Sequence, residues 1–173
     1  MGTNDTEDDY LDSGYQQFAV DATTARDLSL PDFAFQYRDP TDRHLRFSPV
    51  PTFRLLPATD ASRAFAAAQQ RGIRRNLKPK HVTPDVLDQI RDEDRALYAS
   101  HLVRGWDGVV DNSGIPIAFS QAAAVEFFTG KRLNKRTGRD EYKMPDLMFD
   151  AIRAFCIDAM NFTTIDVGTI AKK

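Results

Sequence analysis

Apolar and polar positions along this chain follow two regimes, period two in the first third and helical spacing afterwards. Phe33, Phe35 and Tyr37 alternate with Ala34, Gln36 and Arg38; Asp39-Pro40-Thr41-Asp42 then supplies turn chemistry, and Leu45 and Phe47 resume the alternation. Pro49 and Pro51 withhold amide donors from a ladder, so residues 53–55 are expected to form a short third strand or a sheet edge. From residue 58 the spacing becomes helical. Residues 58–75 read as a first helix, with Thr59 or Asp60 placed to accept its first free amides and a thin apolar face of Ala61, Ala64, Phe65, Ala68 and Ile73. Thr83-Pro84-Asp85 opens a second helix, expected to run to about Val103, through a capping hydroxyl, a proline at the first helical position and an acid in the first turn. Its apolar side is read as Val86, Leu87, Ile90, Leu97, His101 and Leu102, and its polar side as Asp88, Arg91, Asp92 and Arg95. Ser120 caps a third helix with Ala124, Val125, Phe127 and Phe128 inward, ending near Gly130. Met144-Pro145-Asp146 opens a fourth, along which Met148, Ala151, Ile152, Phe155, Ala159 and Phe162 recur at helical spacing.

The rest of the chain is organised around residues 98–128. The single tryptophan, Trp106, stands between Gly105 and Gly108, followed by the turn Asp111-Asn112-Ser113-Gly114 and the helix start at Ser120. A calcium loop does not fit this turn: with Gly114 at the glycine position, Val109 takes position one and Ser120 the final carboxylate position, so the register fails. What remains is a chain reversal joining Val109-Val110 to Ile115-Pro116-Ile117. Trp106 is read as core, and its indole donor needs a partner if buried. The fold class is therefore α+β: an N-terminal β-hairpin or small antiparallel sheet, then a bundle of about four helices with a short two-strand insertion at 109–117.

Composition narrows the function classes. A chain of 173 residues, 42% apolar, with a net charge of -2, fits one globular domain, assigned here to residues 22–162, β-rich over 28–57 and helical over 58–162. Residues 1–21 carry Asp5, Glu7, Asp8, Asp9 and Asp12 with no basic residue and are read as an acidic flexible arm. Residues 163–173 are read as an extended tail. The acidic start lacks a signal pattern and no apolar run reaches spanning length, so an intracellular chain with no membrane association is expected. One cysteine, Cys156, excludes an internal disulfide and a cysteine metal site. His44, His81 and His101 are scattered, and no nucleophile motif, phosphate loop or metal-ligand spacing appears; no cofactor and no enzymatic activity are expected.

Two basic clusters stand out. Arg71, Arg74, Arg75, Lys78, Lys80 and His81 follow the first helix, where positive charge complements a helix C-terminus and can also hold phosphate. Lys131, Arg132, Lys135, Arg136, Arg139 and Lys143 lie in residues 130–143, read as a basic loop that is either a solvated insertion or a contact for an acidic partner. Neither cluster has the aromatic interleaving of nucleic-acid binders, so nucleic acid is the less favoured partner.

The order Gly105-Trp106-Asp107-Gly108-Val109, Asp111, Gly114-Ile115-Pro116-Ile117, Phe119-Ser120, a short helix and a closing helix after Pro145 resembles tail assembly chaperones of long-tailed bacteriophages and prophages, over about residues 83–162. The resemblance implies a cytoplasmic factor of the bacterial host that binds the tape measure protein, the tail tube protein or both during assembly, with self-association also open. Partner-contact candidates are Trp106, Phe119, Phe127, Phe128, Phe33, Phe35 and Tyr37; contacts to an anionic partner would come from the two basic clusters. Two competing readings stand beside it: a structural virion component at a baseplate or head-tail junction, and a small nucleic-acid-binding regulator using residues 71–81 and 131–143.

Overall fold

The computed structural model describes residues 19–33, 50–60, 62–76, 83–111, 113–135 and 137–164. The expected strand positions Phe35, Tyr37, Leu45 and Phe47 lie outside them, as do residues 1–18 of the acidic arm and 165–173 of the tail. The chain runs through β1 (Ala19–Val20), β2 (Arg26–Ser29), a 3-10 turn at Pro31–Phe33 and β3 (Thr52–Leu55). Helices α1 (Arg63–Asn76) and α2 (Pro84–His101) follow, then β4 (Val103–Asp107) and α3 (Gln121–Thr129). A hairpin of β5 (Lys131–Asn134) and β6 (Arg139–Tyr142) leads to α4 (Asp146–Ile157), a 3-10 turn at Ala159–Phe162 and β7 (Thr163–Thr164). The fold is α+β, with small antiparallel sheets and helices around one core.

The main sheet has the order β2-β3-β4. β3 is thus its middle strand, not an edge: Pro51 precedes the ladder and accepts the Leu30 amide through its carbonyl, so the missing donor costs nothing there. β4 was not anticipated. The second helix stops at His101, and the chain straightens at Val103 so that Phe53 faces Trp106 and Leu55 faces Val103, with an irregularity between Arg54 and Leu55. Gly105 sits opposite Arg54, whose side chain crosses it to donate to the Trp106 carbonyl and pair with Asp107 at 3.2 Å. A Cβ at Gly105 would stand 2.6 Å from Arg54 Nε, so only glycine admits this crossing.

Around that sheet the aromatic rings form a continuous edge-to-face series. Phe119 meets Trp106, Trp106 meets Phe53 and Phe127, Phe53 meets Phe128, Phe128 meets Phe149, Phe149 meets Tyr98, and Tyr98 meets Phe65. This series ties β3, β4, α3, α4, α2 and α1 into one core. The Trp106 indole donates to the Ile117 carbonyl at 2.7 Å, which satisfies its buried N–H and pins the return of the 109–117 segment. That segment is a turn with one antiparallel bridge, Val110 to Pro116, in place of the expected pair of strands. The Asp111 carboxylate accepts the Ser113 and Ile115 amides, and Gly114 takes the positive φ of 77° that the reversal needs.

Several boundaries differ from the pattern. α1 begins at Arg63, after a turn in which the Ser62 amide donates to the Thr59 carbonyl; of its expected apolar face Phe65 is buried while Ala64 is exposed. Phe33 ends a 3-10 turn and is not in a strand. α4 stops at Ile157, and Phe162 returns to the interior through the 3-10 turn that follows. β1 and β7 pair with each other, Ala19 opposite Thr164, so the ends of the arm and tail nearest the domain are joined. The caps at Thr83 and Ser120 stand as the sequence indicates, accepting the Val86 and Ala123 amides.

Replacing Trp106 with Phe removes the donor that holds Ile117 and leaves the ring series shorter by one fused ring. The expected loss is about 1–3 kcal/mol, read as a lower urea midpoint with an unchanged denaturant slope.

Candidate partner-binding surface

The largest departure from helical patterning is Arg95. Its side chain is completely buried, on the stripe shared with Tyr98, Ala99 and Leu102 and not on the polar side with Arg91. Nη1 donates to the Phe128 carbonyl at 3.0 Å and to the Met144 carbonyl at 3.2 Å, and Nη2 pairs with Asp146 at 2.5 Å. The guanidinium also lies over the Tyr142 ring, 3.9 Å from its centroid, and 4.8 Å from that of Phe149. Phe128 belongs to the last turn of α3, whose carbonyls lack helical partners and carry the negative end of the helix dipole. Asp146 is the first residue of α4 and remains 65% exposed, so it stabilises the buried cation while keeping its own hydration.

One helical turn toward the start of α2, Asp92 repeats this arrangement with opposite sign. Its carboxylate accepts the Tyr142 hydroxyl at 2.5 Å and pairs with Lys131 at 3.0 Å. Burial alone would raise the Asp92 carboxyl, but the Tyr142 and Lys131 hydrogen bonds and the charges of Lys131 and Arg95 outweigh it and hold it below the ordinary aspartate range. Burial and the neighbouring Asp92 charge raise the Tyr142 phenol, so it remains a donor. Asp94, facing Arg153 of α4 at 3.7 Å, is raised by burial, which the charges of Arg153 and Arg95 only partly offset.

These contacts fix the direction of residues 130–143. They form not a loop but the antiparallel hairpin β5–β6, with Lys131 opposite Tyr142 and Asn134 opposite Arg139. Its base, Phe128 and Met144, is held at Arg95, and its next pair, Lys131 and Tyr142, at Asp92. The hairpin therefore advances along α2 toward that helix's N-terminus. The turn Asn134 to Gly138 closes it, with Gly138 at φ 67° and the Gly138 amide donating to the Asn134 carbonyl. Because strand side chains alternate, Leu133 shares the face of Lys131 and is 63% exposed, while Arg132 and Arg139 share the opposite, outward face with the Asn134–Glu141 hydrogen bond.

The first two turns of α2 extend beyond the core in the same way. Among Pro84 through Arg91 only Val86 is half-buried; Leu87 and Ile90, expected inside, are exposed. Two protruding elements thus present isolated apolar side chains among charges. Lys131 is engaged by Asp92 and Lys143 by Glu126, whereas Arg132, Lys135 and Arg139 have no ionic partner among the described residues.

The aromatic contact candidates fall elsewhere. Trp106, Phe127 and Phe128 are buried in the core, and Phe119 and Phe33 are half-buried against it. Phe35 and Tyr37 lie outside the described residues, as do Lys78 and Arg136. Arg71 is exposed on α1, whose last turn holds Arg74 and Arg75. His101 is half-buried, and burial with the nearby Arg104 and Arg71 charges lowers its pKa. The Cys156 thiol is buried and pushed up to about 12 by that burial. No group of three potential ligands for a metal occurs among the described residues, and no described helix is long and apolar enough to cross a membrane. Arg95, Asp92 and Tyr142 were missed as organising residues. The signal was present for Arg95, which stands three, four and seven positions before Tyr98, Ala99 and Leu102, but its charge assigned it to the solvent side.

A family model described as "YdaY prophage protein" matches residues 58–136, which hold α1, α2, β4, α3, β5 and part of the hairpin turn. This match supports a prophage-derived protein. No curated protein and no solved structure matches the chain.

Two substitutions test the site's construction. Arg95→Ala removes the link between α2, α3, the hairpin base and α4, and is expected to cost about 2–4 kcal/mol in urea unfolding, because the Phe128 and Met144 carbonyls lose their donor and a cavity is left. Asp92→Asn tests the outer pair by pH. A depressed folded-state pKa contributes stability above the unfolded value, about 3.9, which is lost as pH falls through the folded value. The variant is therefore less stable than the parent at pH 7, and the gap between their urea midpoints narrows below about pH 4.

Proposed function

We propose that this prophage-derived protein is a non-enzymatic tail assembly chaperone that holds the tape measure protein, tail tube subunits or both. The observation that carries the reading is the exposure of Leu87, Ile90 and Leu133 on two charged elements protruding from a well-filled aromatic core. The resemblance over residues 83–162 and the prophage family match over residues 58–136 support the same setting.

A tape measure client presents long amphipathic helices whose apolar stripes aggregate when uncovered. A surface with separated apolar anchors set in charge can cover such a stripe and release it as the tube assembles, because few contacts are fully desolvated. The rigid support comes from Arg95 and Asp92, which hold the hairpin against α2. Binding is thus assigned to the outer ends of α2 and the hairpin, and the ring series to their support.

The test is affinity capture of the tagged chain from cells producing the complete tail, with mass spectrometry of both the captured proteins and the finished particles. Tape measure or tube protein should be captured while the chain is absent from particles. Stoichiometric retention in particles would instead make it a structural subunit. The Leu87→Asp/Leu133→Asp variant should lose about tenfold in client affinity, near 1.4 kcal/mol, with its unfolding free energy within about 0.5 kcal/mol of the parent because both sites are exposed.

A further inference from the structure

Helix α4 carries an outer face that no described element covers. Successive helical residues turn by about 100°, so Met148, Phe149, Ile152 and Cys156 occupy its buried side and Leu147, Asp150, Ala154 and Ile157 the opposite one. Leu147 is 73% exposed and Ile157 55%, and Met160, in the 3-10 turn that follows, is 65% exposed. One such side chain is ordinary on a protein surface. Here they mark both ends of a single twelve-residue helix. Asp150 lies between them, exposed and without a hydrogen bond or ion pair among the described residues. Arg153 flanks the row on the side of α2, where it reaches Asp94 at 3.7 Å, and half-buried Ala151 flanks it on the other.

We propose that this face binds the same face of a second copy of the chain, with the two α4 helices antiparallel about a two-fold axis. Such an axis reverses direction along the helix but keeps each flank on its own side, so the contact is self-complementary only if the face has a matching pattern. It has one. About a midpoint at Ile152, Leu147 stands level with the partner's Ile157, and Asp150 with the partner's Ala154. On the flank of α2, Asp150 comes beside the partner's Arg153, and symmetry repeats that ion pair. On the other flank, Ala151 and Ala154 let the axes approach to the roughly 8–10 Å of packed helices. A parallel pair would set Asp150 against the partner's Asp150, so charge selects the antiparallel one. A single helix pair buries less than the roughly 1,200–2,000 Å² of standard stable interfaces, so the dimer is reversible, with half-formation on the order of 100 µM. The inference does not depend on the chaperone reading, because none of these residues belongs to the surface of Leu87, Ile90 and Leu133.

Sedimentation velocity of the full chain from about 5 to 500 µM should show the mean coefficient rising from a monomer toward a dimer. Asp150→Arg sets like charges against the partner's Arg153 and should weaken association at least about tenfold. Asp140→Arg makes the same change of charge on β6 and should leave it within about twofold. Both positions are exposed, so both variants should keep the parent's circular dichroism and urea midpoint. Register is read by oxidising an equal mixture of Asp150→Cys and Ala154→Cys chains; buried Cys156 does not compete. The mixed disulfide should dominate, because like positions are offset by four residues, about 6 Å along the axis, and stand too far apart to bridge. A monomer throughout the range, an association that Asp150→Arg leaves unchanged, or like-with-like disulfides equal to the mixed one would overturn the proposal.

Discussion

Burying the Arg95 guanidinium is the constraint on which the helical half depends. Removing such a cation from water costs several kcal/mol unless donors and charge are compensated, and compensation here requires four parts of the chain at once. The end of α3 supplies the Phe128 carbonyl, the exit of the hairpin supplies Met144, the start of α4 supplies Asp146, and β6 supplies the Tyr142 ring. Only Nε is left without a hydrogen-bond partner. No one of these elements can move far without exposing an acceptor or stranding the charge, so the ion acts as a positional lock more than as a source of net stability.

The apolar core meets the lock from the other side. Phe128 belongs to both: its carbonyl accepts Arg95, and its ring stands edge to face with Phe53 and Phe149. Through Phe53 the series reaches Trp106, whose indole holds Ile117 and so the lead-in to α3. The side chain of Gln121, at the start of that helix, donates to the Ala99 carbonyl of α2. α3 is thereby fixed at both ends, and a hairpin leaving a fixed helix end has a defined direction.

That direction gives the surface its character. An anchored hairpin and a protruding helix end can offer Leu87, Ile90 and Leu133 to a partner without loosening the interior, because none of the three contributes to the core cluster. The cations of the outward hairpin face are similarly free of structural duty, in contrast to Lys131, which is committed to Asp92. The proposed contact residues are thus separate from those that form the core, so substitutions there can be interpreted without a large stability term.

By itself the sequence determined the α+β class, the four helices, the caps at Thr83 and Ser120, the reversal at residues 111–114 and the need of Trp106 for a partner. Each of these rests on signals within a few residues: a hydroxyl three positions before an amide, an apolar repeat, a glycine where φ must be positive. Tertiary structure decided the inward turn of Arg95, the central position of β3, the strand at 103–107, the hairpin in place of a basic loop and the joining of the two ends through β1 and β7. The Arg95 acceptors lie 33, 49 and 51 residues away along the chain, and no local pattern announces them. Likewise, the exposure of Leu87 and Ile90 follows from α2 being longer than the core it crosses. A helical repeat states which residues share a side, but the extent of the neighbouring elements states how far along that side burial continues.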